Sequence, residues 1–221
     1  MSAPVGAAGA IVSCAEPGEG ANRPPPPRGR IAAAAGWSRS HLSFDGEDVR
    51  FDKPAVLTTS DLYAGKFTVT LGAGGLDFGT LVTERKTYDV GPGWLAAAGV
   101  SWRVLAEEKV IPYVVLAATL GVTSARLETP ASREAYLGID FRFGATLGKT
   151  FFGWLSPYAS ARVFGGPVIW SSEDETIVGT DRYHVQGALG VVFILPENLD
   201  LFLEGSPGGE QGGFGGLGWR F

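Results

Sequence analysis

The chain has 221 residues, of which 45% are apolar and 19% charged, and a net charge of −5 at pH 7. Its 33 glycines are roughly twice the average usage. No apolar run reaches the roughly 18 residues of a membrane helix, which argues against a helical membrane protein. The acidic balance offers no basic surface for nucleic acid. One cysteine excludes an internal disulfide, and with two histidines it argues against a zinc site, so we expect no metal and no cofactor.

Residues 1–28 differ from the rest of the chain. Met1 to Ala15 is uncharged, and two interpretations stay open: the remnant of a secretory signal peptide, or a flexible low-complexity leader without a basic start. The run Ile11-Val12-Ser13-Cys14 resembles a bacterial lipoprotein cleavage box, which would make Cys14 a lipidation site. Glu16 to Arg28, with four consecutive prolines, predicts an extended linker. We therefore place the folded domain at residues 29–221.

From Gly29 onward, apolar residues alternate with small or polar ones at a period of two, which indicates half-buried β-strands. In chain order the predicted strands are 29–44, 67–73, 91–105, 110–124, 134–149, 155–169, 181–194, 198–206 and 212–221. If both ends of the barrel domain lie on one side, the count must be even, so 49–57 or 77–86 supplies one more. We predict ten strands, with eight as the alternative if residues 29–60 are partly peripheral.

The segment 137–147 shows the pattern most clearly. One face carries Leu137, Ile139, Phe141, Phe143, Ala145 and Leu147. The opposite face carries Gly138, Gly144 and Thr146, together with the charged residues Asp140 and Arg142. A soluble protein would place large polar residues on its outer face, whereas an apolar outside and a glycine-rich inside are typical of a small membrane barrel.

The connections between the predicted strands alternate in length. Residues 106–109, 150–154 and 196–198 are short turns, whereas 126–133 and 171–181 are longer and more polar. This asymmetry is expected of an outer-membrane barrel, with its short turns in the periplasm.

The last residues alternate as well, with Leu217, Trp219 and terminal Phe221 on one face. This ending resembles the assembly signal of bacterial outer-membrane β-barrel proteins. The resemblance implies an all-β, antiparallel up-and-down transmembrane β-barrel in the outer membrane of a Gram-negative bacterium. It also implies two partners, the outer-membrane lipid and, during biogenesis, the barrel assembly machinery. We expect a monomer that binds no nucleic acid.

Apolar faces turned to lipid leave the charged side chains in the lumen, where they must be paired or hydrated. The predicted ionic network consists of Arg103, Asp140, Arg142, Arg162, Glu204 and Arg220. Lys66, His184 and Gln186 share this predicted lumen face. Because barrels of eight to ten strands enclose little free space, we expect a structural role, with a narrow anion-favouring pore as the alternative.

We predict no catalytic chemistry. The two histidines, His41 and His184, belong to no recognisable Ser/His/acid arrangement, although Ser40 and Ser43 lie beside His41 in sequence. Two further alternatives remain open: a soluble β-barrel that binds a small apolar ligand, and an outer-membrane enzyme with its catalytic residues at one rim.

Overall fold

A computed structural model describes residues 28–76, 78–128, 133–171 and 175–221, without the side chain of residue 133. Residues 1–27 of the predicted leader and linker, including Cys14, lie outside the described residues. No described residue belongs to a helix long and apolar enough to cross a membrane. The strands are β1 Gly29–Phe44, β2 Glu47–Ala64, β3 Phe67–Leu76, β4 Gly79–Val82, β5 Thr87–Val90, β6 Gly93–Leu105, β7 Tyr113–Glu128, β8 Arg133–Gly148, β9 Leu155–Gly165, β10 Pro167–Ser171, β11 Thr176–Asp181, β12 Val185–Ile194, β13 Leu199–Gly208 and β14 Gln211–Arg220.

Ten of these strands form a closed antiparallel barrel. Around the ring the order is β1, β2, β3, β6, β7, β8, β9, β12, β13 and β14, and β14 pairs again with β1. The closing pair runs from Arg30 opposite Arg220 to Arg39 opposite Gln211. Closure leaves no edge strand with unpaired backbone groups. The predicted ten-stranded up-and-down barrel is therefore confirmed.

The tenth strand is β2, which contains the first of the two segments predicted for it, 49–57. It forms a hairpin with β1 through the two-residue turn Asp45-Gly46, in which both residues have positive φ (47° and 85°). Asp-Gly is the dipeptide that a tight hairpin of this handedness favours, because glycine adopts positive φ at little cost. Most of the other segment, 77–86, belongs to the separate short hairpin of β4 and β5.

Two hairpins, β4–β5 and β10–β11, continue the barrel beyond its ten-stranded section. They pair with the ends of β1, β2, β7 and β8, so that these eight strands close a second, narrower ring. We call this ring the collar, and the opposite end of the barrel, where Gly29 and Phe221 meet, the terminal end. The segments 126–133 and 171–181 were predicted as loops, but their described residues are strand in the collar, except residue 175.

The polarity of the inner and outer faces reverses between the two sections. In the ten-stranded section β1 turns Ile31 and Trp37 outward and Arg30 and Ser38 inward. In the collar its outward residues are polar, whereas Leu42 and Phe44 are buried inside. The segment 126–133 was predicted as a loop because its residues are polar. A collar strand whose outer face is in water also carries polar residues, so composition alone does not distinguish the two. The reversal indicates that the ten-stranded section has an apolar environment and the collar an aqueous one.

The interior is filled at two levels by apolar side chains. The collar contains one large cluster, whose members include Leu42, Val49, Phe51, Leu81, Leu127, Tyr136, Val168 and Trp170. A second cluster lies nearer the terminal end and is formed by Ala32, Tyr113, Val115, Tyr158, Val192 and Phe202. Charged side chains occupy the space between and below these clusters.

Candidate functional site

The outer surface of the ten-stranded section is a belt of exposed apolar side chains. Val56, Leu71, Phe143, Leu189 and Leu217 are each 56% to 65% exposed. Aromatic residues rim the belt at both ends. Towards the collar these are Trp37, Trp94 and Tyr183, and towards the terminal end they are Phe67, Trp102, Trp154, Phe193, Trp219 and Phe221. Apolar bands with aromatic rims match the hydrocarbon core and the two interfaces of a bilayer.

The C-terminal residues of the predicted assembly signal lie on this belt. Leu217, Trp219 and Phe221 point outward, and the rings of Trp219 and Phe221 are 5.7 Å apart. The backbone of Phe221 also closes the barrel: its carbonyl accepts hydrogen bonds from the amides of Arg28 and Gly29, and its own amide donates to the carbonyl of Gly29. The same short segment therefore presents aromatic side chains to the outside and joins the first strand to the last.

The first charged cluster in the lumen surrounds Arg142. Its Nε donates to Oδ2 of Asp140 and its Nη2 to Oε2 of Glu210, both at 2.5 Å. Ser40 donates to the other oxygen of Glu210 at 3.0 Å, and the guanidinium lies 5.1 Å from the centre of the Phe164 ring. Two carboxylates and an aromatic face thus surround a cation that is only 5% exposed, and these contacts offset the cost of removing it from water.

The second cluster joins Arg162 and Glu204. The guanidinium donates two bonds of 2.7 Å to the two carboxylate oxygens, and the Tyr158 hydroxyl donates to Glu204 at 2.9 Å. The Gln186 side-chain oxygen accepts long bonds of 3.4 and 3.5 Å from Arg142 and Arg162 and so links the two clusters. Residues from five strands and one turn therefore form a single network across the lumen.

Of the six residues predicted for the ionic network, the structure brings Asp140, Arg142, Arg162 and Glu204 together. Arg103 and Arg220 lie instead near the terminal end. Arg103 donates to the carbonyl of Gly65 and Arg220 to that of Asn198, each at 3.4 Å. Placing these two in the network was wrong, because alternation along a strand predicts the face of a residue but not its height along the barrel axis.

Glu210 was not predicted as a lumen residue, because it lies between the predicted strands 198–206 and 212–221. The structure extends β13 to Gly208, and the tight turn at Gly209 (φ 76°) directs Glu210 inward, where it is 4% exposed. An acidic residue in a glycine-rich turn has the same sequence signal whether it faces solvent or a partner. Only the tertiary structure, which places Arg142 across the lumen from this turn, shows that Glu210 faces inward.

A third cluster, also missed, lies in the lumen at the terminal end. Arg30 donates to both oxygens of Asp200, with the shortest bond at 2.6 Å, and to Asp61 at 3.1 Å. Thr70 donates to the second oxygen of Asp61 at 2.6 Å. A usable signal was present, since alternation with Ile31 places Arg30 on the inner face.

The two histidines lie away from these clusters. His41 is on the outer face of the collar, with its ring 5.7 Å from that of Tyr183. Partial burial and the positive charges of Arg39, Arg182 and Arg50 lower the pKa of His41. His184 was predicted to face the lumen, but it is exposed, and its Nδ1 lies 3.2 Å from the Phe164 carbonyl oxygen. Within the described ranges, no three His, Cys, Asp or Glu side chains form a group suited to a metal ion.

No protein-family model and no curated protein matches this sequence. Solved structures with a similar fold include the outer membrane protease OmpT from Escherichia coli, at 9% identity and a TM-score of 0.54, covering 87% of this chain and 96% of that one. The translocator domain of the autotransporter NalP from Neisseria meningitidis is similar at 12% identity and a TM-score of 0.50, covering 87% and 88%. This chain therefore has the fold of bacterial outer-membrane β-barrels.

Proposed function

We propose that this protein is a small structural barrel of the bacterial outer membrane, with a lumen closed to solutes. The observation that carries the proposal is the filled interior. The Arg30 cluster, an apolar cluster, the linked Arg162 and Arg142 clusters and the apolar core of the collar succeed one another along the axis. A passive pore would need a continuous polar path through these layers.

The belt of apolar side chains supports the location in a membrane. A soluble barrel that binds an apolar ligand would expose polar residues, yet Phe141 and Phe143 on β8 are at least half exposed and face away from the lumen. With the terminal end in the periplasm, the collar would project from the cell surface, and its solvated outer face suits that position.

We propose no catalytic role. Among the described residues neither histidine hydrogen-bonds a carboxylate, and the inward carboxylates of the Arg142 and Arg162 clusters are paired with arginine. General base chemistry would require one of these groups to be accessible to substrate.

Fractionation tests the location. The full chain would be expressed with a functional signal peptide in a Gram-negative host, and the outer-membrane fraction run on a denaturing gel with and without boiling. We expect a band in that fraction that shifts on boiling, as a folded barrel resists the detergent until heated. A protein that is soluble without detergent would contradict the proposal.

Planar-bilayer recordings test the closed lumen separately. We expect the purified barrel to insert without steady single-channel steps, under conditions in which a general porin conducts. Reproducible ohmic steps from the wild-type protein would show that the lumen is a pore.

A further inference from the structure

The open end of the collar forms a cup with a volume of about 430 Å³. Its floor is aromatic, because Phe44, Tyr88 and Trp170 meet there from β1, β5 and β10. The Trp170 ring lies edge to face with both neighbours, with ring centres 5.5 Å from Phe44 and 5.1 Å from Tyr88. A cavity of this size is in the range that holds small-molecule ligands.

Carboxylates border the floor from two sides of the ring. Glu134 on β8 accepts a hydrogen bond from the indole nitrogen of Trp170. Glu47 comes from β2, and the pKa of the Tyr88 hydroxyl is raised by burial and by the negative charges of Glu134 and Glu47. Both carboxylates therefore act on the same aromatic ring.

The charge of the wall is unbalanced. Besides Glu47 and Glu134, the described lining includes the acidic residues Asp45 and Glu175 and the basic residues Arg85 and Lys86 of the β4–β5 turn. Among these described lining residues, four acidic and two basic groups leave two net negative charges around an aromatic floor. Negative charge combined with aromatic faces favours a positively charged guest, since a cation gains from the ring faces and from the carboxylates together.

We propose that the cup binds a small organic cation, with its ammonium group held by Glu47 and Glu134 and its apolar body against Phe44, Tyr88 and Trp170. The apolar core of the collar lies directly beneath this floor, so the ligand would enter and leave from the open end and would not cross the barrel. The site thus differs in position and chemistry from the charged clusters of the lumen.

Calorimetric titration of the full-length folded barrel in detergent tests this proposal with three probes. They are benzyltrimethylammonium, neutral benzyl alcohol and anionic benzoate. We expect the cation to bind about tenfold more tightly than the alcohol, a difference within the range of cation–aromatic and charge contributions in a partly desolvated site. Benzoate should bind most weakly.

Substitutions of the lining residues test whether the cation binds in the cup. Glu134→Gln keeps an oxygen that accepts the Trp170 bond and removes only the charge, so it should weaken cation binding about tenfold while the gel shift on boiling persists. Glu47→Gln should act in the same way, and Lys86→Gln should tighten binding. Asp89→Asn is the matched control, because Asp89 follows Tyr88 on β5 but is exposed outside the cup. It should leave binding unchanged within about twofold.

Equal affinity for the cation and the alcohol would overturn the proposal. Equal effects of Glu134→Gln and Asp89→Asn would also overturn it, because nonspecific attraction to an acidic surface would then explain the binding. If Glu134→Gln does not fold, Lys86→Gln decides the matter, since the proposal requires that variant to gain affinity.

Discussion

Arg142 and Glu210 are 68 positions apart in the chain and form a 2.5 Å ion pair inside the barrel. Arg142 projects from the middle of β8, and Glu210 from the turn between the last two strands. The pair connects opposite parts of the ring and fixes the position of the β13–β14 turn.

We expect Arg142→Ala to lower the free energy of unfolding by about 3–5 kcal/mol, because it leaves Asp140 and Glu210 buried without their cation. Denaturant unfolding in detergent micelles, followed by the gel shift on boiling, measures the loss. Arg126→Ala is the matched control, since Arg126 is exposed on the collar, and its effect should stay within about 0.5 kcal/mol. Unchanged stability of Arg142→Ala combined with raised conductance would instead support a pore.

Two glycines should respond in opposite ways to the addition of one methyl group. A Cβ on Gly216 would meet the carbonyl oxygen of Ala33 and, at 2.7 Å, the ring of Phe202, whereas a Cβ on Gly187 meets nothing within 4 Å. We expect Gly216→Ala to cost about 1–3 kcal/mol of stability through overpacking. Gly187→Ala should be neutral or slightly stabilising, since it reduces the freedom of the unfolded chain. Unfolding curves of the two variants side by side make the comparison, and equal effects would contradict the close packing at Gly216.

The collar core predicts a strong effect of Phe51→Ala. Phe51 has no solvent exposure, and its ring centre lies 4.8 Å from that of Tyr136. Truncation should destabilise the protein by about 3–5 kcal/mol through lost burial and a cavity. Phe141→Ala on the exposed belt is the control, and in micelles it should cost much less. A small loss for Phe51→Ala would mean that the collar is not packed.

A pH dependence is expected from Asp181, a collar residue whose Oδ1 is buried without a hydrogen-bond partner among the described residues. Burial, together with the charges of Asp140 and Glu210, raises the pKa of Asp181 to about 6. Because the folded state holds this proton more tightly than the unfolded state, the stabilisation is complete below about pH 4 and is lost as the pH rises through about 6.

Asp181→Asn should therefore gain stability relative to the wild type on the order of 2–3 kcal/mol at pH 8, but not at pH 4. Thermal unfolding at both pH values measures the difference. Asp48→Asn, on the exposed face of β2, is the control and should show no such difference between the two pH values. A constant difference for Asp181→Asn at both pH values would show that its carboxyl does not titrate in this range.

The residues of a single strand were sufficient to predict its inner and outer faces. Alternation at a period of two indicates which face of β8 is apolar, and the glycines beside Asp140 and Arg142 indicate that the other face points into a narrow lumen. This information is local, because successive side chains of a strand point to opposite sides. The same pattern in the other strands supported the ten-stranded barrel and placed Arg142, Arg162 and Glu204 on the inner face.

The partners of those residues required the tertiary structure. The height of a side chain in the barrel depends on strand tilt and on the register of all ten strands, and these are properties of the closed ring. For this reason Arg103 and Arg220 lie at the terminal end, although alternation along their strands assigned them to the inner face. For the same reason Glu210 reaches Arg142 from a turn. The sequence by itself determined the fold class and the inner and outer faces of the strands, because these depend on neighbouring residues. Only closure of the ring decided which charges meet, and that the collar is a second barrel with an apolar interior.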